Sequence, residues 1–126
     1  MTPSAPLTSM LESYLKLTTS REQAIAANMA NADTPGYHTR DINFEGEFKK
    51  AMNTVMNESS DGTSTVQLNP VVQEVSGLIE RPDGNNVDLD REGILMSETQ
   101  LQYQIGIQLV KHQFHQILSA INGGGQ

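Results

Sequence analysis

The side chains here that could ligate a metal or move a proton are histidines, carboxylates and amides. His112 and His115 stand three apart in a segment of helical spacing, which can turn two imidazoles toward one cation. Nothing nearby supplies the remaining ligands and no His-Glu-x-x-His pattern occurs, so both read as solvated helix-face residues. His38 follows a turn and has no obvious partner. Asp83-Gly84-Asn85-Asn86-Val87-Asp88-Leu89-Asp90-Arg91-Glu92 is rich in oxygen ligands. It lacks the EF-hand order, with Gly out of the sixth place and no Glu closing the twelfth. A turn running into an acidic helix start accounts for it without calcium. No serine has a triad around it, and the carboxylates lie in polar stretches expected to be exposed, where no desolvation shifts their pKa values. Cysteine is absent, which excludes disulfides, thiolate nucleophiles and Cys-based zinc sites. These residues predict no enzyme, no cofactor and no metal site.

One run resists that bland reading: Ala27-Asn28-Met29-Ala30-Asn31-Ala32-Asp33-Thr34-Pro35-Gly36-Tyr37. Asn28 and Asn31, embedded in alanine on a helix, are poor choices for helix propensity. Small residues allow close helix approach, and Asn amides can bond across to a neighbouring chain and fix register. A helix end fraying into a turn explains Pro35 and Gly36 but not both asparagines.

The elements that must position these residues follow from periodicity. Leu7, Leu11, Tyr14, Ile25, Asn28 and Ala32 fall on one stripe of a helix from about Leu7 to Asn31, with Met10, Leu17, Ala24 and Asn31 on a smaller one. Thr18-Thr19-Ser20 weakens its middle, and Ser20-Arg21-Glu22-Gln23 repeats a capping-box pattern, so a break or restart is expected there. Thr34-Pro35-Gly36-Tyr37 ends it. Phe44, Phe48, Met52 and Val55 predict a short helix within Asp41–Val55, followed by a polar loop over 57–64. Val66, Leu68 and Val72 alternate like an edge strand interrupted by Pro70. Leu78 and Ile79, with Val87 and Leu89 across a Pro82-Asp83-Gly84 turn, predict a small hairpin.

The last helix, about Asp90 to Asn122, carries Met96, Tyr103, Ile107, Val110, Phe114, Ile117 and Ile121 at nearly unbroken 4-3 spacing. At roughly 45 Å it is too long to bury within so small a domain. Gly123-Gly124-Gly125 stops it. The expected architecture is mainly α: long terminal helices forming a coiled-coil-like pair, with a small irregular or β-hairpin middle. Its parts are 1–37, 38–89 and 90–126.

Composition agrees with stripes rather than a thick core. Of 126 residues 37% are hydrophobic and 5% aromatic, Trp is absent, and the mean hydropathy is -0.41. Such narrow stripes ask for partners. A net charge of -7 leaves no cationic footprint for nucleic acid or an anionic membrane. No stretch reaches the ~20 apolar residues of a membrane span. Met1–Leu11 lacks the basic and apolar regions of a cleaved signal peptide, so the expectation is a cytoplasmic protein or one exported by a route that reads no such signal.

The Ala27–Tyr37 run resembles the N-terminal signature of the flagellar axial proteins, the family of rod, hook and hook–filament junction subunits. Arg40-Asp41-Ile42-Asn43-Phe44, the Asp83–Glu92 run and Leu101-Gln102-Tyr103 are similar to segments of its proximal rod members, whereas residues 55–80 match nothing. The resemblance implies a structural subunit of the basal-body rod, polymerising through its terminal helices between the membrane ring and the distal rod. It implies as partners other rod proteins and further copies, an adjoining ring or junction protein and the flagellar type III export apparatus, with no nucleic acid and no small-molecule substrate. Phe44-Glu45-Gly46-Glu47-Phe48 resembles the short motif by which such subunits are recognised at the export gate, although the two rings can equally pack a short helix. The assembly and export residues on this reading are Asn28, Asn31, Pro35, Gly36, Tyr37, Phe44, Phe48, Tyr103, Ile107, Val110, Phe114 and Ile117. A cytoplasmic coiled-coil adaptor, or a small α-helical ligand-binding domain, are the alternatives.

Overall fold

A computed structural model describes residues 5–57 and 67–123. The chain order is α1 (Ala5–Ala30), β1 (Arg40–Ile42), α2 (Phe44–Asn57), β2 (Val72–Glu74) and α3 (Leu89–Asn122). Helices of 26 and 34 residues are roughly 39 and 51 Å long, so the terminal elements dominate the molecule. Most of the loop expected over 57–64, Val66 of the expected strand and most of the glycine tail lie outside the described residues.

α1 runs unbroken through Thr18-Thr19-Ser20. Both threonine hydroxyls donate to the Leu15 carbonyl, at 2.8 Å from Thr18 and 3.0 Å from Thr19. Their polar atoms are thereby satisfied inside the helix, and no restart is needed.

α1 and α3 pack antiparallel. Asn28 meets Glu92 at one end, Leu15 and Tyr14 face Gly106 in the middle, and the Gln113 amide donates to Thr8 Oγ1 at 3.0 Å toward the other end. A Cβ on Gly106 would lie 2.7 Å from Leu15 Cδ2, so the helices cross there because glycine leaves room. α3 continues past the start of α1.

The core is small and lies between α1 and the middle region: Leu17, Ala24, Ile25, Ile42, Ala51, Val55 and Val87 are buried. α2 docks on α1 through three rings, with Tyr14 edge-on to Phe44 at 5.6 Å and to Phe48 at 5.9 Å. Such ring pairs contribute about 0.5–1.5 kcal/mol beyond the area they bury. Arg21 grips Asp41 with two nitrogens, at 3.2 and 3.1 Å, and so fixes β1 against α1.

The expected two-stranded antiparallel element is present, but its strands are β1 and β2, with Arg40 opposite Glu74 and Ile42 opposite Val72. Leu78, Ile79 and Val87 lie in irregular chain instead of flanking a hairpin. The reason is competition for backbone groups. The Asp83 carbonyl accepts from Gly36 N at 2.9 Å, and Asn86 N donates to the Tyr37 carbonyl. The turn closes locally, with Gly84 N donating to the Arg81 carbonyl and Arg81 N to the Asn85 carbonyl, both at 2.8 Å, but the chain beyond it binds the exit of α1 instead of extending a strand pair.

Candidate functional site

The two sequence runs that stood out meet in space. Thr34-Pro35-Gly36-Tyr37 forms a tight turn, with Tyr37 N donating to the Thr34 carbonyl at 3.2 Å and Gly36 at φ 76°. Pro presets the first corner and glycine supplies the left-handed second one. The Arg81–Gly84 turn lies face to face with it, also on a left-handed glycine, Gly84 at φ 84°. A Cβ on Gly84 would approach Gly36 Cα to 3.2 Å. The backbones are this close because neither residue has a side chain.

Asparagines bind these turns together. Asn85 is fully buried; its amide donates to the Asn31 and Thr34 carbonyls at 2.9 and 2.8 Å, and its oxygen accepts from Val87 N at 2.7 Å. Both carbonyls lie just past the end of α1, where each also accepts a backbone N–H, so Asn85 ties down the exit of that helix from far along the chain. The Arg81 guanidinium donates to another, the Ala32 carbonyl. Asn86 Oδ1 accepts from Thr39 N at 2.6 Å.

Asn28 is the centre of this latch. It is 1% exposed. Its oxygen accepts from Tyr37 Oη and Arg40 N, both at 3.0 Å, and its nitrogen donates to the Arg40 carbonyl at 2.8 Å and to Glu92 Oε1 at 2.5 Å. An amide has two acceptor positions and two protons, so every valence is used within this chain. None remains for a neighbour while this network stands. Asn31 is also engaged locally, donating to the Ala27 carbonyl at 2.8 Å and accepting from Thr34 Oγ1.

Glu92 corrects the expectation that the carboxylates are exposed. It is fully buried, with Oε1 on Asn28 and Oε2 on Arg91 Nη1 at 2.6 Å. A charge out of water survives only when paired and hydrogen-bonded, which these two partners provide. Asp88 stays outside and caps α3, accepting from Asp90 N and Arg91 N. Among the described residues no group of three His, Cys, Asp or Glu side chains could hold a metal, and His112 and His115 are both exposed.

Glu92 opens a heptad that the apolar pattern concealed: Glu92, Thr99, Gly106 and Gln113 are the buried residues of α3, and they face α1. Four polar or small residues at intervals of seven are the signal that could have found this seam. The expected apolar stripe lies to one side of it. Ile107 and Ile117 are half-buried at its edge, whereas Tyr103, Val110, Phe114 and Ile121 are exposed, Phe114 at 57% and Ile121 at 71%. On the other side of the seam Ile94, Leu101, Ile105 and Leu109 form a second apolar flank, also exposed. Ser97, Gln104, Gln108 and Lys111 run along the back. A helix so patterned is half-clothed by α1 and bare on two sides.

No family model matches the chain. Curated relatives do. It is 35% identical to the flagellar basal body rod protein FlgB of Escherichia coli K12 over 126 residues, spanning 87% of this chain and 88% of that one. Identity is 34% to FlgB of Salmonella typhimurium LT2, with the same shares, and 30% to FlgB of Proteus mirabilis HI4320, covering 87% and 89%.

Proposed function

The chain belongs to the FlgB family of flagellar basal-body rod proteins, and from that premise we propose that it is a non-enzymatic subunit that polymerises through α1 and α3 into the proximal rod. The observation that carries this reading is the pair of exposed apolar flanks on α3. Burying an exposed Leu, Ile or Phe contributes about 1.5–3 kcal/mol, and in a polymer the gain recurs at every copy.

The flanks also bear on what kind of assembly forms. They are different surfaces on opposite sides of one seam, not one self-complementary patch. A patch that pairs with itself closes a dimer, whereas two different patches pairing head to tail extend into a ring or helix. A coiled-coil adaptor needs only the first arrangement. On this proposal the subunit links the membrane ring to the distal rod, with other rod proteins, further copies and an adjoining ring or junction protein as partners. It reaches that place through the flagellar type III export apparatus without a cleaved signal. Among the described residues no helix is long and apolar enough to cross a membrane.

Locating a tagged copy decides the matter. The tag is expected in purified basal bodies at the base of the rod. A stable cytoplasmic dimer, absent from basal bodies, would favour the adaptor.

A further inference from the structure

His38 stands between two carboxylates from different segments. Its Nδ1 lies 2.6 Å from Glu74 Oε1 on β2, and its Nε2 lies 3.2 Å from Glu80 Oε1 in the loop before the Arg81–Gly84 turn. A carboxylate accepts and does not donate, so both contacts are hydrogen bonds only when both ring nitrogens carry protons. That species is the imidazolium. The neutral ring keeps one bond and turns a lone pair toward the other carboxylate.

The segment joined by these contacts has little else to hold it. Val72, Gln73 and Glu74 are all exposed, as are Val71 and Ile79. Its backbone is tied by the three-residue ladder to β1 and by Val75 N donating to the Thr39 carbonyl at 3.0 Å. Few buried apolar contacts and exposed backbone bonds mark a segment that opens locally at small cost.

We propose that His38, Glu74 and Glu80 form a proton-operated clamp that fastens the strap from Val72 to Glu80 onto the exit of α1 and loosens it when the ring is neutral. Glu74 and then Glu80 hold the imidazole pKa above its ordinary 6.5, against a smaller opposing effect of desolvation. On its own segment His38 is followed by Arg40, which stands across the ladder from Glu74, and by Asp41, which is taken by Arg21. Arg81, beyond Glu80, pairs with Asp83. Because the folded-state pKa is raised, the clamp is fully present below the ordinary value and is lost as pH rises through the raised one.

The test is an NMR titration of the His38 ring in the full chain, with amide exchange at Val75 corrected for intrinsic base catalysis. Substituting Glu74→Gln and Glu80→Gln together is expected to lower the His38 midpoint. Val75 protection should fall severalfold between about pH 5.5 and about 8.5 in the natural chain, and stay low and flat in His38→Gln, over the range where histidine titrates. All three residues are substantially exposed, and unchanged far-UV helicity confirms that the variants fold. A midpoint unmoved by the double substitution, or Val75 protection that follows the same course in His38→Gln, overturns the clamp.

Discussion

The Asn28 amide nitrogen lies 2.5 Å from Glu92 Oε1, joining the last turn of α1 to the first turn of α3 across 64 positions of sequence. This bond brings the two conspicuous runs together and sets where the terminal helices begin their antiparallel course. It also changes what a substitution at Asn28 tests, since the amide is a device of the fold before it can be one of the polymer.

Asn28→Leu leaves Glu92 Oε1, Tyr37 Oη and both Arg40 backbone groups without their partner. Only the Glu92 bond is fully buried, and removing the partner of a buried charge costs about 3–5 kcal/mol, whereas the part-buried groups can turn to water, so a loss on the order of 3–5 kcal/mol is expected. Tyr37→Phe removes a single neutral bond and should cost about 1 kcal/mol. Urea unfolding of both variants measures the difference. Equal, mild losses would mean that the latch does not set the stability of the helix pair.

Gly106 offers a steric test of the crossing. An Ala there places its Cβ 2.7 Å from Leu15 Cδ2, the end of a side chain that can rotate, and helix propensity returns up to about 1 kcal/mol. Gly106→Ala is therefore expected within about 1 kcal/mol of the natural chain. Gly106→Leu cannot be accommodated by rotation and should destabilise by about 1–3 kcal/mol, as overpacking does. Thermal unfolding of the two checks this. If leucine is as benign as alanine, the helices do not cross where Gly106 lies.

Much of this was readable beforehand, and the misreadings share one cause. The helices, the Pro35-Gly36 turn and the pairing of α1 with α3 followed from local periodicity and turn chemistry. The partner of the Asn85 amide could not, because it is made of carbonyls more than fifty positions upstream. The seam was missed because apolar residues were counted as the buried ones. On α3 the burial goes to Glu92, Thr99, Gly106 and Gln113, and the apolar residues are left on both sides of them. In an isolated globular domain that arrangement is a conflict between pattern and fold. In a subunit whose neighbours complete its surface it is consistent.

Phe44 and Phe48 pack on Tyr14 in the folded chain, and we propose that the export gate reads the same pair before the chain has folded. The two roles separate by comparison. Tyr14→Ala strips the same ring contacts without touching the Phe44–Phe48 spacing. Replacing both phenylalanines with Ala is expected to lower secretion several-fold at unchanged cytoplasmic level, with Tyr14→Ala secreted normally, as a secretion assay on culture supernatants would read. Equal secretion of the two variants returns the phenylalanines to packing alone.

The last prediction separates assembly from folding, and the exposure of the α3 flanks makes it sharper than periodicity alone allowed. Phe114 and Leu101 lie on opposite flanks and are 57% and 58% exposed in the single chain. Surface substitutions away from caps and cores change stability by about 0.5 kcal/mol or less. Phe114→Asp and Leu101→Asp should therefore leave the subunit folded and exported. In a polymer each would bury a carboxylate without a partner at every copy, where desolvation is far more costly than in water. Both variants are expected to be absent from basal bodies, in cells that do not swim. Val110→Asp and Ile117→Asp, nearer the seam, should fail in the same assay with some loss of subunit stability. Gln108→Asp, on the polar back of the helix, is the control and should assemble. If one flank tolerates the charge and the other does not, the head-to-tail pairing of two flanks is wrong and a single interface carries the rod. If aspartate at Gln108 is as damaging as at Phe114, the flanks have no special part in assembly.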